Sequence, residues 1–115
     1  MTLADDSLMR AVCLLSGTGT NLKVILENIE TGSIPISLNA VISDNSMAKG
    51  IEKADTSGIT TKVIDYKLYD EQSIYHDQLK QSVLIENPDL IILACYMRIL
   101  SDDFCETFRG KIINI

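Results

Sequence analysis

The amino-acid sequence predicts an α/β protein built on a doubly wound, mostly parallel sheet. Short apolar runs rich in Ile, Leu and Val alternate with segments of helical periodicity, in the order β-α-β-α-β-α-β-α-β. The segments between successive runs are long enough for the right-handed crossovers that join parallel strands. Helices cover both faces of such a sheet. We therefore expect one Rossmann-like domain over residues 9–115, preceded by a flexible lead-in over residues 1–8.

Each predicted strand is a short apolar run bounded by turn-forming residues. The five runs cover residues 9–15, 36–43, 60–64, 90–95 and 111–115. The third run is short and more polar, so we expect it near an edge of the sheet. The fourth run is the most apolar in the chain, which favours a central position.

The predicted helices carry apolar residues on one face. In the first helix, residues 21–30, these recur at the i, i+3, i+4 and i+7 positions, namely Leu22, Ile25, Leu26 and Ile29. Two further helices are expected over 48–57 and 71–86. A short fourth helix is expected between an N-cap at Ser101 and a stop at Gly110, with two aspartates in its first turn.

Composition and charge narrow the class of protein. Hydrophobic residues make up 46% of the chain, which argues against a disordered protein. The net charge of −6 argues against nucleic acid or an anionic membrane as the main partner. An anionic ligand would have to be held by local backbone dipoles and selected cations, because the overall field opposes it. No His, Cys, Asp or Glu cluster has the spacing of a metal site, so we expect no metal.

The cysteines and the N-terminal residues indicate a cytoplasmic protein. Cys13, Cys95 and Cys105 show no C-x-x-C pattern and are expected to be buried or partly buried free thiols in a reducing compartment. The first eight residues lack the basic and apolar regions of a signal peptide. No run approaches the roughly 18 apolar residues of a membrane span.

The turn Ser16-Gly17-Thr18-Gly19-Thr20-Asn21-Leu22 organises the predicted site. Its glycines let the backbone turn sharply and approach a ligand. The turn opens onto a helix N-terminus, where unpaired N–H groups and the helix dipole attract an anion. Asn21 is suited to cap the helix or to direct its amide at a ligand. The pattern favours a single phosphate group or a phosphosugar.

Other interpretations of this turn stay open. It could be a tight turn that binds nothing. A dinucleotide fingerprint would need a small residue where Leu22 stands, although Asp44 follows the next strand roughly where a ribose-binding acid would be. A P-loop would need Gly-Lys-Ser/Thr, which is absent. Ligands of doubly wound sheets bind beyond the carboxyl ends of the strands, so we expect this turn, the loop after strand four and the end of strand five to converge.

Three motifs resemble the glycinamide ribonucleotide formyltransferase family, whose members are folate-dependent enzymes of purine synthesis. They are the turn at 16–22, the run Pro-Asp-Leu-Ile-Ile-Leu-Ala at 88–94 continuing into Tyr-Met-Arg-Ile-Leu at 96–100, and Ile-Asn-Ile at 113–115. The resemblance extends from about Arg10 to Ile115. It implies the N-terminal portion of the formyltransferase fold.

The resemblance also implies an activity and a set of site residues. A formyl group would pass from 10-formyltetrahydrofolate, the co-substrate, to the amine of 5-phosphoribosylglycinamide in de novo purine synthesis. Gly19, Thr20 and Asn21 would bind the substrate phosphate. Asn114 would be catalytic, as a donor to the oxyanion, and would also contact the folate. The folate pocket would be lined by Met97, Arg98, Ile99 and Leu100.

Two departures from the family pattern bear on this expectation. The family places His-Pro-Ser directly after the Asn-Ile pair and an aspartate later, and this sequence stops at Ile115. We therefore expect a truncated domain that binds better than it catalyses and is inactive alone. Relatives also place an Arg or Lys where Gln72 stands, so the folate-contacting role is not carried over. The chain's one histidine, His76, is expected to be a solvated helix residue.

Several alternatives remain at this point. Arg98 could serve the folate carboxylates, position its loop, or be a surface arginine. The whole chain could instead be an NAD(P)-dependent oxidoreductase domain using Gly17, Gly19 and Asp44, or a non-catalytic phosphosugar-binding fragment. The expected partners are small molecules, with no nucleic acid and no membrane, and the protein is expected to be a monomer or a homodimer.

Overall fold

A computed structural model describes residues 8–115 of the chain. The predicted flexible lead-in therefore lies outside the described residues, apart from Leu8. The strands are β1 Met9–Leu15, β2 Ile36–Ser43, β3 Thr60–Val63, β4 Leu90–Leu93 and β5 Ile112–Asn114. The helices are α1 Thr20–Glu30, α2 Lys49–Thr56, α3 Gln72–Glu86 and α4 Asp102–Thr107. A 3-10 helix, Tyr66–Leu68, interrupts the loop after β3.

The five strands form one sheet in the order β3-β2-β1-β4-β5, and every neighbouring pair is parallel. The predicted edge position of the third strand and interior position of the fourth are both confirmed. From β1 the chain proceeds outward to β3 and then crosses back to β4 on the other side of β1. The strand order therefore reverses between β1 and β4, which opens a crevice at their carboxyl ends.

Helices cover both faces of the sheet, as a doubly wound fold requires. Side chains of β1 alternate between the two faces. Val12 and Leu14 pack in one cluster with buried residues of α3 and of α4 with its C-cap, namely Tyr75, Leu79, Val83, Phe104 and Phe108. Cys13 and Leu15 pack on the opposite face with Leu22 of α1 and Ala54 of α2. The predicted fold class is confirmed.

Element boundaries differ from the predicted ones by one or two residues, and two of these differences have a clear backbone reason. Helix α1 begins at Thr20, and its N-cap is Gly19 with φ +75°, so Asn21 does not take the first of its two expected roles, the helix cap. Strand β4 ends at Leu93, two residues before the predicted end. Cys95 has φ +59°, a left-handed conformation that a strand does not accommodate.

The signals at the other helix ends agree with the structure. The Ser101 hydroxyl oxygen accepts a hydrogen bond from the Phe104 N–H at 3.1 Å and caps α4. Asn87 ends α3 in a left-handed conformation directly before Pro88.

Among the cysteines, Cys13 is buried as expected, but Cys95 and Cys105 are exposed. Because Cys95 lies beyond the end of β4, its side chain is not enclosed by neighbouring strands.

Candidate functional site at the strand-order reversal

The loop between β1 and α1 is fastened to helix α2 by close backbone contact. The N–H of Gly50 donates to the carbonyl of Gly17 at 3.1 Å. A Cβ atom on Gly19 would lie 2.6 Å from the Cα of Gly50, so the two backbones touch only because both residues are glycine. The Lys53 ammonium donates to the carbonyl of Thr18 at 2.6 Å. These contacts hold the loop in one shape.

The first turn of α1 has the features of an anion-binding terminus. No side chain caps the helix, and a backbone hydrogen bond runs from the Lys23 N–H to the Gly19 carbonyl at 2.9 Å. The preceding amides, at Thr20 and Asn21, therefore lie in the part of the helix that lacks intrahelical acceptors. The hydroxyls of Thr18 and Thr20 lie 3.1 Å apart beside them. Backbone and hydroxyl donors thus cluster at the positive end of the dipole.

Two hydrogen bonds join this loop to the segment that follows β4. The Met97 N–H donates to the Ser16 hydroxyl oxygen at 2.8 Å. The Asn21 side-chain amide donates to the Cys95 sulfur at 3.4 Å. The predicted convergence of the two segments is therefore present. Ser16 was not among the predicted site residues, because its partner lies 81 positions away and no local pattern reveals that contact.

The Met97–Leu100 segment combines exposed and anchored side chains. Met97 is 75% exposed and Ile99 is 90% exposed, whereas Leu100 packs against the core cluster of α3 and α4. Arg98 donates through Nε to Oδ2 of Asp44 at 2.7 Å, and the Asp44 side chain is 2% exposed. The segment therefore presents apolar surface to solvent, while its cation is already engaged by a buried carboxylate.

Two small cavities flank Arg98. One, of about 220 Å³, is lined by Ser16, Asp44, Asn45, Asp65, Lys67, Met97 and Arg98. The other, of about 260 Å³, is lined by Tyr66, Gln72, His76, Met97, Arg98 and Ile99. Two larger grooves lie away from the strand-order reversal. One of about 470 Å³ lies between α1 and α2, and one of about 420 Å³ lies between α1, β2 and the loop that follows α2. The smaller cavities are the ones bounded by the predicted folate residues.

A tyrosine pair anchors the same segment to α3. The hydroxyls of Tyr75 and Tyr96 are hydrogen bonded to each other. Burial raises the pKa of the Tyr75 hydroxyl to about 12, and burial also raises the pKa of Tyr96. The rings of Tyr66 and Tyr69 pack edge-on to Tyr75, with centroids 4.9 and 5.7 Å away. Tyr96, which precedes Met97, is therefore fixed by a neutral, partly buried hydrogen bond.

Asn114 lies at the same edge of the sheet. It is the last residue of β5 and pairs in register with Leu93, the last residue of β4. The Ile115 N–H donates to the Leu93 carbonyl at 3.1 Å, which fixes the strand end. The Asn114 residue is exposed, so its side chain amide is accessible. The structure thus brings the three predicted stretches to one edge.

Two sequence interpretations change in the structure. Asp44 is buried and paired with Arg98, so it does not present a carboxylate to a ribose, and the dinucleotide alternative is not favoured. His76 is partly buried rather than solvated, and its Nδ1 has no hydrogen-bond partner among residues 8–115.

In the part of the chain that the structure describes, no three His, Cys, Asp or Glu side chains are grouped as a metal site. No helix in that part is long and apolar enough to cross a membrane.

Fold and site together define an α/β protein whose candidate ligand site lies at the strand-order reversal. A family model described as formyl transferase matches residues 9–115. This chain therefore belongs to the formyl transferase family.

Curated relatives and solved structures agree with that assignment. The chain is 35% identical over 107 residues to phosphoribosylglycinamide formyltransferase of Escherichia coli K12, covering 93% of this chain and 50% of the relative. It is 36% identical over 107 residues to the human trifunctional purine biosynthetic protein adenosine-3, covering 92% of this chain and 10% of that protein. The crystal structure of phosphoribosylglycinamide formyltransferase from Brucella melitensis superposes with a TM-score of 0.88 at 33% identity, covering 93% of this chain and 56% of that one. The chain thus spans about half the length of the single-function relatives it matches.

Proposed function

We propose that this chain forms the phosphosugar-binding and folate-binding part of a phosphoribosylglycinamide formyltransferase. The observation that carries the proposal is the arrangement at the strand-order reversal. The β1–α1 loop and the uncapped N-terminus of α1 are joined by the Ser16–Met97 and Asn21–Cys95 hydrogen bonds to the segment that follows β4, which continues into Met97–Leu100. The relatives whose names carry this activity match the chain over nearly its whole length.

The phosphate of 5-phosphoribosylglycinamide would bind at the first turn of α1. Gly19 is the N-cap of α1 in a left-handed conformation, and the amides of Thr20 and Asn21 that follow it have no acceptor within the helix. Backbone N–H groups at a helix N-terminus bind phosphate through both hydrogen bonds and the helix dipole. This local attraction offsets the net charge of −6, which opposes an anionic ligand at longer range.

The formyl folate would bind along the Met97–Leu100 segment. Met97 and Ile99 supply exposed apolar surface for an aromatic ring system, beside the 260 Å³ cavity. Exposed apolar side chains at the rim of a cavity are typical of a ligand site. Gln72 lines this cavity where the family resemblance leads one to expect a basic residue. The folate would therefore bind mainly through its ring system.

Formyl transfer joins the glycinamide nitrogen to the formyl carbon and breaks the bond from that carbon to N10 of the folate. The attack gives a tetrahedral oxyanion, and the Asn114 side-chain amide would donate a hydrogen bond to it. The amine proton leaves the attacking nitrogen, and N10 of the leaving folate gains a proton. In a protein that turns over, loss of one oxyanion donor costs about 10²–10³ in rate, which is the loss proposed for Asn114→Ala.

The proton-transfer histidine of the family pattern is not matched by a residue of this sequence. His76, its one histidine, lies on α3 beside Tyr75, with ring centroids 5.2 Å apart. We propose that the 115-residue chain binds both ligands without measurable formyl transfer. We further propose that it acts on small molecules, is cytoplasmic, and is a monomer or a homodimer.

A titration of the ¹⁵N-labelled chain tests the binding proposal. Addition of 5-phosphoribosylglycinamide should shift the backbone amide signals of Thr20 and Asn21 most strongly. The dephosphorylated ribosylglycinamide is the matched control and should leave these signals unchanged. Shifts of equal size with both compounds, or shifts confined to residues outside the β1–α1 loop, would contradict phosphate recognition by α1. A response to NADH in place of either compound would instead support the oxidoreductase alternative.

A further inference from the structure

Arg98 is held by a carboxylate that lies outside the three motifs of the formyltransferase resemblance. Asp44 follows β2 and lies 54 positions before Arg98. Its Oδ2 accepts the 2.7 Å hydrogen bond from Arg98 Nε, and its Oδ1 is buried without a hydrogen-bond partner among residues 8–115. A buried carboxylate is unfavourable unless a cation compensates it. Arg98 is therefore the cation that compensates the buried carboxylate of Asp44, and Asp44 in turn holds the Arg98 side chain in place.

The guanidinium of Arg98 is fixed on a second side by an aromatic ring. Its central carbon lies 3.8 Å from the centroid of Tyr66. A planar guanidinium stacks on aromatic faces in this way, and a fixed hydrogen bond at Nε sets its rotation. Arg98 lines both the 220 and the 260 Å³ cavities, together with its neighbour Met97. Its orientation consequently shapes both.

We propose that Asp44 is a positioning residue, whose buried carboxylate holds Arg98 against Tyr66 and thereby sets the shape of the Met97–Leu100 segment. The inference rests on the proposed function, in which this segment receives the folate. Because the Asp44 carboxylate already neutralises the charge of the Arg98 guanidinium, Arg98 attracts the carboxylates of the folate's glutamate tail only weakly. The Met97–Leu100 segment therefore recognises the folate ring system by shape complementarity, and it does not recognise the glutamate tail by charge.

The first test needs no ligand. In the wild-type chain the Arg98 Nε–H should exchange slowly with solvent and give a resolved ¹⁵N signal. Asp44→Ala should abolish that protection, whereas Asp44→Asn should reduce it because an amide oxygen still accepts. The control is Asp65→Asn, which removes one charge from the same 220 Å³ cavity but retains an oxygen for the Lys67 N–H. Equally fast exchange in the wild type and in Asp44→Ala overturns the proposal.

The second test compares two folate ligands, 10-formyltetrahydrofolate and an analogue without the glutamate tail. Asp44→Ala and Asp44→Asn should weaken both to the same extent, by about tenfold for the alanine variant. Binding of 5-phosphoribosylglycinamide should stay unchanged, which a general loss of folding would not allow. If Arg98 instead served the tail carboxylates, its release from Asp44 would strengthen the tailed ligand alone and overturn the proposal. A wild-type chain that binds neither folate refutes the proposed function, and the Nε–H exchange then decides the role of Asp44.

Discussion

Replacement of Gly19 by alanine tests the contact that shapes the β1–α1 loop. Gly19 has φ +75°, and a Cβ there would lie 2.6 Å from the Cα of Gly50. The left-handed conformation costs alanine about 1–2 kcal/mol. The steric contact is with backbone rather than with a flexible side chain, so α1 and α2 must separate, at a cost of about 1–3 kcal/mol. We expect Gly19→Ala to lower the free energy of unfolding by about 2–5 kcal/mol.

Two other glycines separate these contributions. Gly58 also has a positive φ, +78°, but a Cβ there meets nothing within 4 Å, so Gly58→Ala reports the conformational cost alone. Gly17 has neither a positive φ nor a neighbour within 4 Å, so Gly17→Ala should change stability by less than about 0.5 kcal/mol. Urea unfolding followed by far-UV circular dichroism gives all three values. A loss in Gly19→Ala no greater than in Gly58→Ala would refute the close approach of α1 and α2.

Three further predictions concern the rest of the fold. Ser101→Ala should lower the free energy of unfolding by about 1 kcal/mol, because the Phe104 N–H loses its acceptor; an unchanged urea midpoint would contradict the cap. A chromogenic thiol reagent should label exposed Cys95 and Cys105 in the folded chain, and buried Cys13, whose pKa is raised to about 12 by burial, only after unfolding. Labelling of all three at one rate would show that β1 is not enclosed. Finally, the raised pKa of Tyr75, about 12 against 10.0 for a free tyrosine, means that the folded chain keeps a proton that the unfolded chain releases. The contribution of protonated Tyr75 to the free energy of unfolding is therefore complete below pH 10 and declines between pH 10 and 12. Urea midpoints measured across this range should fall continuously.

The fold could be predicted because its signals are local. The apolar runs and the helical periodicity predicted all five strands and four helices, and the alternation of strand and helix predicted parallel pairing. The Ser101 cap was visible for the same reason, since the cap and its partner lie three residues apart. The end of β4 was predicted two residues too late, because an apolar run continues through Cys95 while its backbone does not stay extended.

The candidate site was predictable only in part. Glycines before a helix indicated an anion site at 16–22, and the family resemblance pointed to Met97–Leu100 and Asn114. The contacts that join these pieces connect residues far apart in sequence, as in Ser16 with Met97 and Asp44 with Arg98. No periodicity or spacing encodes such a pair. Asp44 accordingly suggested a ribose ligand from its position after β2, whereas the fold buries it against Arg98.

A crystal structure of the full chain with bound 5-phosphoribosylglycinamide tests the central claim most directly. We predict phosphate oxygens at about 3 Å from the backbone nitrogens of Thr20 and Asn21, with the ligand's amine directed toward Asn114. The Ser16–Met97 hydrogen bond should remain in place. A phosphate located away from the N-terminus of α1, with the sugar outside the strand-order reversal, would contradict the account.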